Sequence, residues 1–159
     1  MVTKLGVVTS EKPRQPALDR QVAMNLAAAE YDRVASLLDA LTPSQWALPT
    51  DCPGWDVRAV AGHILGMAQM VASVPEMVRQ QVGSQRAAKK NGAATIDALT
   101  ALQVTKNAGL STTEIVEQMR VVGPKAARSR RRTPGMIRNR KIPEIQDTGS
   151  VEEWWTFGY

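Results

Sequence analysis

The chain of 159 residues contains one histidine, His63, and one cysteine, Cys52, and these two side chains bound the chemistry it can do alone. A single imidazole excludes a Cys/His zinc finger and any self-contained triad that needs a second histidine. A single thiol excludes an intramolecular disulfide framework and fits a reducing compartment. His63 lies in a 17-residue run without formal charge, Ala59 to Pro75. On a helix it flanks the apolar stripe of Val57, Val60, Ala61, Ile64 and Leu65. Two readings stand side by side. The ring is either a half-buried histidine satisfied by backbone or water, or a metal ligand or general base facing a space inside a bundle. One imidazole does not hold zinc by itself, since three protein ligands are the usual minimum.

Gly62 and Gly66 bracket His63 with a GxxxG spacing, which in a soluble helix lets another backbone come close. Cys52 stands between Asp51 and Pro53, and the nearest cation in sequence is Arg58. That placement fits a small side chain in a turn better than an activated thiolate. Eight basic residues and no acidic one lie between Lys125 and Lys141; removing them leaves twelve basic against fifteen acidic side chains. The net charge of +5 is therefore the work of one segment. Arg128, Arg130, Arg131 and Arg132 could meet phosphate, but no aromatics are interleaved for base stacking and no recognition helix is evident. Nucleic acid is a disfavoured partner, and a solvated loop or helix end is the plainer reading.

Helices are the elements that must position these groups. Apolar residues recur at helical spacing from Leu18 to Ala40, after a loose leader over residues 1–16 that carries Pro13 and Pro16. Thr42-Pro43-Ser44-Gln45 is a capping box that predicts a short turn ending at Trp46. Pro49 to Gly54 reads as a loop, and Asp56 caps a second helix from Val57 to at least Val74. Pro75 either kinks that helix or starts another. The stretch Gly83 to Gly92 is polar, and Lys89, Lys90, Asn91 and Gly92 read as a break, followed by a helix over about Ala93–Asn107 with Ile96, Leu99, Leu102 and Gln103 along one side. A second capping box, Ser111 to Glu114, opens a helix that Gly123-Pro124 is expected to end near Val122. Trp154 to Tyr159 places four aromatics in six residues, the start of a further apolar element, and the chain reads as cut off there.

Hydrophobic residues make up 43% of the chain and charged ones 22%, an ordinary globular balance. No stretch is apolar enough for a confident membrane span, and no secretory h-region is present. No β-alternating run appears either. The expectation is one all-α domain over residues 17–159 in the cytoplasm.

From Leu41 through Trp46, Pro49-Thr50-Asp51-Cys52-Pro53-Gly54-Trp55 and His63 to Gly66, the pattern becomes specific. It resembles the N-terminal metal-binding domain of the mycothiol-dependent maleylpyruvate isomerase family of actinobacteria, within the DinB-like helical superfamily. The resemblance continues more weakly through Leu110 to Val122, the Arg130 to Pro134 stretch and Trp154 to Tyr159. It implies a four-helix bundle whose fourth helix is incomplete in this chain. It also implies a divalent metal, typically zinc, with His63 as the first of three ligands. The other two, an acidic residue and a histidine, would follow Trp154-Trp155; Glu152 and Glu153 precede those positions and do not match them. Mycothiol, a small thiol, and a small electrophilic substrate are the implied partners. The resemblance leaves catalysis by this chain open. A different class of function, a non-catalytic helical module that dimerises or completes its bundle with a partner, is the alternative.

Overall fold

The computed structural model describes residues 18–138. The leader at 1–16, the end of the basic segment at Arg140 and Lys141, and the Glu152 to Tyr159 stretch lie outside the described residues.

Seven helices account for the described chain: α1 Arg20–Asp39, α2 Pro43–Trp46, α3 Val57–Ala72, α4 Val74–Asn91, α5 Thr95–Asn107, α6 Thr112–Arg132 and α7 Gly135–Arg138. The all-α expectation holds. Local sequence starts most of them. Asp19 accepts hydrogen bonds from the amides of Gln21 and Val22, and Asp56 accepts from Ala59 at 2.7 Å. Both capping boxes form: Thr42 with Gln45 at α2, and Ser111 with Glu114 at α6. Each satisfies two amides that the helix itself leaves without partners.

Pro75 resolves as the start of a new helix. Ser73 is extended, its hydroxyl accepts from the Glu76 amide, and Pro75 occupies the first turn of α4, where a missing N–H costs nothing.

Three expected boundaries shift. The helix expected to reach at least Val74 ends at Ala72. The break expected over Lys89 to Gly92 begins only at Gly92, left-handed at φ 65°, because α4 continues through the polar stretch to Asn91. Gln80, Ser84 and Ala88 recur every four residues and are buried, so the helix is held by a seam of small and amide side chains. Likewise, α6 runs through Gly123-Pro124 to Arg132. Pro124 forfeits one helical hydrogen bond. Gly123, Ala126 and Ala127 are nevertheless buried, and a side chain at 123 would strike Tyr31 of α1. Close packing on α1 outweighs the proline.

Helix α3 is the hub. It packs against α6 on one side, which in turn packs on α1, and against α5 and α4 on the other. The α6 side is aliphatic, built from Ala61, Leu65, Ala68, Ile115, Val116 and Met119, with Trp46 sealing one end. The α4–α5 side mixes buried polar side chains, Gln80, Ser84, Gln103 and Asn107, with the apolar Ala88, Ala98 and Leu99. No helix among the described residues is long and apolar enough to cross a membrane.

Candidate functional site around His63

His63 sits in the second turn of α3, partly buried, with its ring against the indole of Trp55: the centroids are 5.4 Å apart and the planes tilted by 55°. The loop before α3 brings the indole there. Cys52, Pro53, Gly54 and Trp55 make a turn closed by the Trp55 amide donating to the Cys52 carbonyl at 3.0 Å. Gly54 at φ 79° takes the position of a type II turn that only glycine fills without strain. The Thr50 amide and hydroxyl both donate to the Trp55 carbonyl, at 3.0 and 2.9 Å. The Val57 amide donates to the Leu48 carbonyl. These bonds fasten both ends of the loop and leave Trp55 facing His63.

The imidazole carries one unusual feature. Its Nδ1 is shut off from solvent and has no hydrogen-bond partner among the described residues. A buried ring nitrogen without a partner is costly, and such atoms are rare in folded proteins.

The two glycines flanking His63 behave as the spacing suggests. A Cβ on Gly66 would lie 2.6 Å from Cβ of Gln103, and one on Gly62 would touch Asn107 at 3.5 Å. With no side chain in the way, α5 and α4 reach the α3 backbone. Asn107 donates to the Gly62 carbonyl at 2.8 Å, and Gln80 donates to the Gly66 carbonyl at 3.1 Å. Gln103 donates to Gln80 at 2.9 Å and to the Met67 sulfur at 3.3 Å. The network surfaces at Lys106, whose ammonium reaches Gln69 at 2.5 Å and Glu76 at 2.6 Å. Burial pushes the Glu76 carboxyl upward, but hydrogen bonds from Lys106 and Gln80 and the charges of Lys106 and Arg79 outweigh it, so the group titrates below its ordinary value. Sequence reading missed this network. Its one signal was Gln103, a polar residue on an otherwise apolar stripe.

Cys52 is exposed and unpaired. Arg58, its nearest cation in sequence, is turned away: the guanidinium donates to the carbonyls of Ala108 and Leu110. The arginine-rich segment forms the last turns of α6 and its exit. Arg20 donates to the Arg130 carbonyl at 2.8 Å and Arg131 to Asn25 at 3.2 Å. Cations at a helix C-terminus complement its dipole, which accounts for this placement without a ligand. A groove of about 590 Å³ between α4 and α5, lined by Ala87, Ala98, Ala101 and Leu102, does not include His63.

Zinc makes its own demand on donors. The partnerless Nδ1 suits His63 to donate to a cation. No three His, Cys, Asp or Glu side chains converge among the described residues, so residues 18–138 hold no complete set of metal ligands.

A family model described as the mycothiol maleylpyruvate isomerase N-terminal domain matches residues 27–155. No curated protein and no solved structure matches the chain.

Proposed function

This chain belongs to the mycothiol maleylpyruvate isomerase N-terminal domain family, and on that basis we propose that it is the metal-binding domain of a mycothiol-dependent isomerase- or transferase-like protein. His63 contributes one ligand to a divalent cation, zinc by preference, and the remaining donors come from outside residues 18–138. The carrying observation is the buried Nδ1 of His63, which has no partner among the described residues. A bound divalent cation would hold a thiol as thiolate near neutral pH. Mycothiol is the thiol proposed and a small electrophile its substrate. The chain's own part is narrower: one imidazole on α3, walled by Trp55, with the side-chain amides of Asn107 and Gln80 holding the helix backbone on either side of it. A cytoplasmic setting suits a domain with one unpaired, exposed cysteine.

Cobalt(II) titration of the chain and of His63→Ala, followed by visible absorption, tests this reading. The account expects binding to weaken by about tenfold or more in the variant, the scale on which even indirect supports of a metal matter. Equal affinities would overturn it.

A second reading, a helical module that pairs with a second copy, draws on the exposed stripe Val74, Val78 and Val82 along α4. Light scattering separates the two: a dimer that Val78→Glu dissociates supports pairing, and a monomer at high concentration excludes it.

A further inference from the structure

We propose that Trp55 is a positioning residue for His63, acting by excluding water from Nδ1 and holding the imidazole in one orientation. The inference rests on the metal-binding reading for its purpose, but not for its evidence.

The geometry carries it. A tilted pair with centroids 5.4 Å apart lies within the range over which aromatic rings attract one another. Rotating the imidazole about its side-chain bonds would give up that contact. The buried face of α3 offers no replacement, because Gly62 and Gly66 on either side of His63 are closed over by Asn107 and Gln103. Polar anchors among the described residues are equally absent: Nδ1 has none. The indole therefore substitutes for the hydrogen bond that usually fixes a histidine ring.

The loop makes the indole a fixed wall. Trp55 follows the glycine of a tight turn, and its carbonyl is held by both donors of Thr50. One residue later Asp56 caps α3, so the wall and the helix bearing His63 share a single rigid junction. A ligand held before binding loses less freedom when it binds.

His63 is the only histidine, so its ring signals are assigned without ambiguity. Nitrogen-15 spectra of the metal-free chain, recorded at a pH where the ring is neutral, read the Nδ1 environment directly. The expectation is a Nδ1 resonance of an unhydrated nitrogen in the wild type, kept in Trp55→Phe and moved to the hydrated position in Trp55→Leu. An unchanged Nδ1 resonance in a folded Trp55→Leu overturns the proposal. If Trp55→Leu does not fold, the wild type decides: contacts between indole and imidazole protons in nuclear Overhauser spectra support the proposal, and their absence overturns it. Cobalt(II) affinity falling several-fold in Trp55→Leu but not in Trp55→Phe would extend the effect to metal. Because the nitrogen spectra need no metal, a chain that binds none leaves this test intact while defeating the proposed function.

Discussion

Gly66 of α3 and Gln103 of α5 meet backbone to side chain: a Cβ on the glycine would stand 2.6 Å from Cβ of the glutamine. The contact point is the root of the Gln103 side chain, not its flexible end, so the neighbour cannot swing away. Gly66→Ala should therefore destabilise the protein by about 1–3 kcal/mol, the usual cost of overpacking. Gly109→Ala is the control, since nothing lies within 4 Å of that position. Thermal unfolding of the two variants checks the difference; equal melting temperatures would contradict the close approach.

Glu76 gives the fold a pH dependence with a definite sign. Its carboxyl is drawn below the ordinary range by Lys106, Gln80 and Arg79 in spite of burial. A depressed carboxylate stabilises the folded state above its unfolded pKa, about 4.3 for glutamate, and that contribution disappears as pH falls through the lower folded value. Urea unfolding of wild type and Glu76→Gln should show a stability gap at pH 7 that closes on acidification. A gap that stays constant with pH would contradict the pairing.

Pro124 lies inside α6 and removes one helical hydrogen bond. Pro124→Ala restores the donor without changing the helix, and should raise stability by about 1–3 kcal/mol. A lowered melting temperature would show that the proline ring contributes more by packing than it costs.

These residues also show where the sequence was legible. The starts of α2, α3 and α6 were plain, because Thr42, Asp56 and Ser111 act through local hydrogen bonds within a few residues of chain. The turn before α3 was plain too: Pro53 and Gly54 specify it by backbone preference alone. Helix ends were less so. Gly123-Pro124 reads as a stop, and only the presence of Tyr31 across the interface shows why the helix continues. The break expected over Lys89 to Gly92 comes three residues later than expected, at Gly92, for a related reason. Ser84 and Ala88 are too small and polar to register as a buried stripe, yet they are buried because α5 comes close.

At the site, the residue types picked out His63, and the Gly62–Gly66 spacing announced a close neighbour. Which neighbour it was could not be read, because Gln80, Gln103 and Asn107 are individually unremarkable polar residues on separate helices. Their convergence beside Gly62 and Gly66, with Asn107 donating to the Gly62 carbonyl and Gln80 to the Gly66 carbonyl, is a property of the folded chain alone. The contact of Trp55 with His63 lay nearer to the surface of the sequence, since one loop and two helical turns join them.

The central claim is that His63 binds a metal. Elemental mass spectrometry of the purified chain beside His63→Ala, with folding of both confirmed by circular dichroism, tests it most directly. The account predicts about one zinc per chain in the wild type and its loss in the variant. Equal metal content in the two proteins, or none in either, would contradict it.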